Sequence, residues 1–154
     1  MASERAPTAG PTYGDRLPGQ TEDVILLVGR VALGAIFVKS GLQKLMALSA
    51  FAASLAGRGL PQSSMWAVIG ATVEFGGGIL IVSGVKTRWA SVLMILFVIV
   101  ATGLSHRYWE FADAAARRAQ ESQFFKNLSI IGGFVLLFVS GAGRYSVDRL
   151  LRRS

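Results

Sequence analysis

Four long apolar stretches, at about residues 24–46, 65–85, 89–105 and 124–142, alternate with short polar or charged segments. About 20 helical residues cross a ~30 Å hydrocarbon layer, so the stretches have spanning length; the third needs Thr87, Arg88 or His106 in the interface. No period-2 alternation competes with these runs. The pattern predicts an all-α fold, an integral membrane four-helix bundle.

Local signals predict the ends. Thr21 is expected to cap the first helix, with Glu22 and Asp23 in the first turn, where negative charge meets the positive end of the helix. The second span follows Gly57, Gly59 and Pro61, with Ser63 or Ser64 as its cap. The fourth enters through Lys126 and Asn127 and ends at Gly141 and Gly143. Residues 1–21, rich in Pro, Gly and Ala, read as a disordered cytoplasmic tail. The tail is not expected to be a signal peptide, because its apolar core starts only near Val24 and no small-residue cleavage site follows. Residues 22–145 form the four-span domain, and 146–154 a short basic interfacial segment, capped by Ser146, on anionic lipid. Within 105–123, Tyr108, Trp109 and Phe111 predict an aromatic belt. Residues 112–119 predict an interfacial helix with Asp113 and Arg117 paired at i, i+4; a docking surface or lid is the sharper alternative.

Composition agrees. The chain is 52% hydrophobic and only 16% charged, against about 25% charged in soluble domains. A soluble bundle of 154 residues has too little interior to hide that much apolar surface. The net charge of +7 does not point to nucleic acid, because the basic residues lie mostly at the ends of apolar runs rather than in one stripe. Their distribution reads as topology. Arg5, Arg16, Lys86, Arg88, Arg144, Arg149, Arg152 and Arg153 lie on the side of the termini, against Arg58, Arg107, Arg117 and Arg118 opposite. Eight against four predicts cytoplasmic termini. There is no cysteine and a single histidine, so disulfides, thiol relays and two-histidine haem ligation are excluded, and no metal is expected to be ligated by this chain alone.

The chemistry lies in the polar groups within the spans. Glu74 sits near the middle of the second, where an ionisable group costs at least ~2.5–3.5 kcal/mol, and so marks a functional site by default. Gly70 and Gly78, four residues to either side, allow close helix approach. On the first span Arg30, Gly34, Phe37, Gly41 and Lys44 share one face, while Lys39 and Gln43 lie on the opposite one. Glu74 is expected to face a basic group of the first span. Lys39 is preferred over Arg30 because it shares its face with Gln43. Gln43, Lys44, His106, Lys126 and Asn127 all fall near the outer membrane face, where chain-distant polar groups inside an apolar bundle suit a polar ring or headgroup. Glu74 and His106 are the candidates for handling protons; a polar lock between the first two spans is the alternative for Glu74. Gly76–Gly78 follows no strand and reads as packing rather than as a phosphate cradle, and no G-x-S-x-G nucleophile motif occurs.

Several segments resemble the DoxX family of small four-span bacterial membrane proteins: GRVALGAIFVKSGLQKL (29–45), the Gly59–Pro61 loop, EFGGGILIVSGVKTR (74–88), His106, Asn127 and GAGRYSVDRL (141–150). Lys39-Ser40 stands where such proteins usually have a histidine ahead of Gly-Leu-Gln-Lys. The family takes its name from a subunit linked to thiosulfate:quinone oxidoreductase. The resemblance therefore implies a small subunit or accessory protein of a quinone-linked membrane oxidoreductase, in a bacterial inner membrane, with other membrane subunits as partners. On that reading Lys39, Gln43, Lys44, Glu74, His106, Lys126 and Asn127 form the cofactor-binding set, with a quinone as the cofactor. The rival is a non-catalytic assembly subunit whose polar groups only lock helices. A transporter is disfavoured, because one four-span chain leaves little room for an inverted repeat.

Overall fold

The computed structural model describes residues 19–151. Six helices follow in order: α1 (Gly19–Met46), α2 (Leu48–Ala56), α3 (Ser63–Ser83), α4 (Thr87–Ser105), α5 (Ala114–Ser140) and α6 (Val147–Leu151), with a 3₁₀ turn at Tyr108–Glu110. No strand occurs among the described residues. Helical backbone satisfies its own hydrogen bonds, which hydrocarbon requires. Four helices, α1, α3, α4 and α5, are long and apolar enough to cross a membrane.

Helix α1 packs on α3, α3 on α4 and α4 on α5, while α1 and α5 meet over only a few residues. The core joins Phe37 of α1, Ile81 of α3, Met94 and Val98 of α4, and Phe134 and Leu137 of α5. Phe37 is its hub, 5.5 Å from the Phe134 ring and 6.5 Å from that of Phe97. The apolar residues left outside this core, among them Val28, Leu96, Val100, Leu136 and Val139, are well exposed. A belt of that kind is stable against lipid rather than water.

Several ends differ from expectation. Helix α1 begins at Gly19, so Thr21 lies within its first turn instead of capping it. Gln62, in the left-handed region at φ 51°, precedes α3, and neither Ser63 nor Ser64 caps it, because the Gln62 carbonyl already accepts from Met65 and Trp66. The segment between the first two spans contains α2, whose Leu55 is buried. Most notably, residues 114–123 are no separate interfacial helix but the start of α5. Nothing between Ala114 and Ile131 is Gly or Pro, so no residue interrupts the helix. Asp113 does not pair with Arg117. It caps α5, its Oδ1 accepting from the Ala116 amide at 2.8 Å.

Candidate functional site

The relation of α1 to α3 fixes the site. As α1 advances from Gly34 to Gly41, its neighbours on α3 retreat from Val82 to Phe75, so the helices run antiparallel with their glycines in close contact. One turn beyond Gly41, Lys44 reaches across, and its ammonium donates to Glu74 Oε2 in an ion pair. Glu74 is buried and Lys44 partly exposed. The Lys44 ammonium also lies 5.2 Å from the centre of the Phe51 ring on α2.

The expected Lys39–Glu74 pairing is therefore wrong, and so is the Arg30 alternative. The face shared by Arg30, Gly34, Phe37 and Gly41 is the buried one, and Lys44 continues it, while Lys39 and Gln43 are exposed on the outside of α1. The face shared with Gln43 misled because it is the outward one, and the helices are also staggered. Glu74 is mid-way along α3, yet it lies close to the C-terminal end of α1, since α2 extends the chain beyond Met46. Arg30 lies at the opposite end of the bundle. Its guanidinium donates to the Val82 carbonyl (3.2 Å), the Tyr145 carbonyl (2.5 Å) and the Ala142 carbonyl. These acceptors sit at the end of α3 and in the chain leaving α5, where helical carbonyls lack intrahelical donors.

Around the ion pair lies a cavity of about 180 Å³ between α1, α3, α4 and α5. Of the predicted site residues, Lys44, Glu74, His106, Lys126 and Asn127 line it; Lys39 and Gln43 do not. Phe37, Phe97, Val98 and Ile130 form its apolar wall. Ile36 and Lys126, on its rim, are exposed, so the cavity opens where α1 and α5 part.

His106, Asn127, Lys126 and Ser105 in the wall are each held by a neighbour. His106 Nδ1 lies 2.8 Å from Gln120 Oε1; facing an amide oxygen, Nδ1 carries the hydrogen and Nε2 is the remaining ring nitrogen. Asn127 donates to Thr102 Oγ1 at 2.8 Å, and Thr102 in turn donates to the Val98 carbonyl at 2.6 Å. Lys126 donates to Gln123, and Arg58, from the loop after α2, donates to Ser105 at the end of α4. The sequence reading missed Gln120 and Ser40, the latter another lining residue. Gln120 is legible only once 114–123 is seen as part of α5. Among the described residues no group of three or more His, Cys, Asp or Glu side chains gathers to hold a metal ion.

A family model described as DoxX matches residues 25–107. The chain belongs to the DoxX family. The matched region runs through α1, α3 and α4 and includes Lys44, Glu74 and His106; the α5 wall of the cavity lies beyond it. Relatives of similar length carry the likeness further. Inner membrane protein YphA of Escherichia coli is 34% identical over 85% of this chain and 93% of its own length. Inner membrane protein YqjF of the same organism is 34% identical over 86% and 95%. The ER-derived vesicles protein ERV29 of Saccharomyces cerevisiae is 35% identical over 56% of this chain, but over only 27% of its own length. No solved structure matches. With four apolar spans and inner-membrane relatives, this DoxX chain is a membrane protein embedded in the bilayer.

Proposed function

We propose that this protein is a small subunit or accessory protein of a quinone-linked membrane oxidoreductase, and that the cavity beside the Lys44–Glu74 pair receives the ring of a quinone. The observation that carries this reading is one cavity with an ionic wall, an aromatic wall and a lateral opening. Its volume of about 180 Å³ suits a single six-membered ring, since a cavity of about 150 Å³ holds benzene. An isoprenoid tail would leave between α1 and α5, into lipid.

A bound quinone supplies two-electron redox chemistry, which no side chain of this protein offers. The residues supply the rest. Lys44 and Asn127 offer N–H donors to carbonyl oxygens, and the Lys44 charge favours a reduced, anionic ring. His106, oriented by Gln120, holds or releases a proton at Nε2, and Glu74 does so at its carboxylate. The termini are proposed to be cytoplasmic, which sets the cavity near the outer face.

The assembly-subunit reading has its own support: Glu74, Asn127 and His106 already have protein partners, as a purely structural lock would. One experiment separates the two. Binding of a short-chain ubiquinone analogue is measured on the full chain in lipid nanodiscs, for wild type, His106→Leu/Asn127→Leu and Lys39→Met/Gln43→Leu. Loss of binding in the first variant and retention in the second supports the quinone site. No binding by wild type, or equal binding by a folded His106→Leu/Asn127→Leu protein, favours the assembly subunit.

A further inference from the structure

The end of the bundle that carries the termini has a second, larger basin, which the reading above does not use. It measures about 870 Å³ and lies between the start of α4, the chain leaving α5, and α6. Lys86, Arg88, Arg144 and Arg149 line it, with Asp23 and Asp148 as the acidic members. Both carboxylates are engaged by backbone. Asp23 Oδ1 accepts from the Arg144 amide at 2.7 Å. Asp148 accepts from the Lys86 amide at 2.8 Å through Oδ1 and from the Thr87 amide at 3.2 Å through Oδ2. These bonds hold the basin's walls together and leave the basic side chains unneutralised. Among the described residues Arg88 reaches only the Val139 carbonyl, at 3.5 Å. Lys86, Arg144 and Arg149 make no ion pair among the described residues. Four cations against two carboxylates give the basin a net positive charge.

A separate observation points to a ligand. Thr87 lines the basin, is only 2% exposed, and its Oγ1 is the one buried side-chain oxygen or nitrogen without a partner among the described residues. An unsatisfied buried hydroxyl costs about 1–3 kcal/mol, and buried polar groups are otherwise nearly always paired. A phosphate oxygen among the four cations would accept from it.

From these we infer that the basin binds a phosphate-bearing anion, with Lys86, Arg88, Arg144 and Arg149 as charge partners and the Thr87 hydroxyl as a buried donor. The setting favours a glycerophospholipid headgroup over free phosphate. The basin lies at the ends of α4 and α5, and Trp89 on its rim is 76% exposed, as indole is at the headgroup level. Juxtamembrane basic residues attract anionic lipid by about 1 kcal/mol each.

The test uses the full chain in mild detergent. Its thermal midpoint is followed while dioleoylphosphatidylglycerol, dioleoylphosphatidylcholine or glycerol 3-phosphate is added, and bound lipid is counted by native mass spectrometry. Stabilisation by phosphatidylglycerol alone supports the lipid source. An equal effect of glycerol 3-phosphate supports the same site with a soluble phosphate as its ligand. Arg144→Gln/Arg149→Gln changes two exposed side chains that make no ion pair among the described residues, and is expected to weaken phosphatidylglycerol about thirtyfold, at about 1 kcal/mol for each charge removed. Thr87→Val keeps the shape and is expected to weaken it about threefold, the worth of one hydrogen bond. Equal response to phosphatidylcholine, no response to any additive, or an unchanged phosphatidylglycerol response in both folded variants overturns the assignment.

Discussion

Gly41 of α1 and Phe75 of α3 are in backbone contact: a Cβ on Gly41 would stand 2.5 Å from the Phe75 amide nitrogen and 2.7 Å from its Cα. Backbone, unlike a flexible side chain, cannot yield without parting the helices. That contact is what lets Lys44, three residues on, reach Glu74.

Gly41→Ala is therefore expected to destabilise the protein by about 1–3 kcal/mol through overpacking, despite alanine's better helix propensity. Gly29→Ala on the same helix meets nothing within 4 Å and is expected to be neutral or stabilising by up to about 1 kcal/mol. Thermal midpoints in detergent compare the two. Equal effects would remove the close approach as the organising contact.

Loss of one ion-pair member leaves the other charge without its partner. A fully buried pair loses about 3–5 kcal/mol in this way, but the Lys44 side chain is 33% exposed, so solvent reduces the expected loss to about 1–3 kcal/mol. Glu74→Gln and Lys44→Met should each show it, and the double variant should lose less than their sum. Lys39→Met is expected to change stability by less than about 0.5 kcal/mol. A strictly additive double-mutant cycle would count against the pair.

Arg30 ties α1 to the ends of α3 and α5 through three carbonyls. Arg30→Met is expected to cost about 3 kcal/mol or more, since those acceptors lose charge-assisted bonds worth about 1.5–3 kcal/mol each. Arg30→Lys should rescue little, because an ammonium lacks the planar fork that serves three acceptors at once. Unfolding in detergent measures both. Full rescue by lysine would show that charge alone matters.

Cytoplasmic termini are the expectation from the basic asymmetry. Fusion of a reporter active only in the periplasm should give signal near Arg117 and none at the C-terminus. The reverse pattern would put the cavity on the cytoplasmic face.

What the chain order alone determined was everything that depends on one helix at a time. The number of spans follows from apolar length, because a bilayer admits few alternatives to a self-bonded helix. The face of α1 carrying Arg30, Gly34, Phe37 and Gly41 follows from the 3.6-residue period. That the polar residues Lys44, His106, Lys126 and Asn127 share one level follows from counting inward from span ends. Tertiary structure decided what depends on the stagger between helices. Glu74 met Lys44 instead of Arg30 because α2 shifts α3 relative to α1, an offset that no periodicity within either helix records, while Lys39 lies on the outward face of α1. Gln120 reached His106 because α5 runs on without a break from Ala114. Asp148 came to cap α4 across the 61 residues from Thr87, and Thr87 was left with a buried hydroxyl that has no partner among the described residues, through the docking of α6 on the α3–α4 turn. Period and hydropathy specify which face of a helix turns inward; the register in which two inward faces meet is set by where their glycines let the backbones touch.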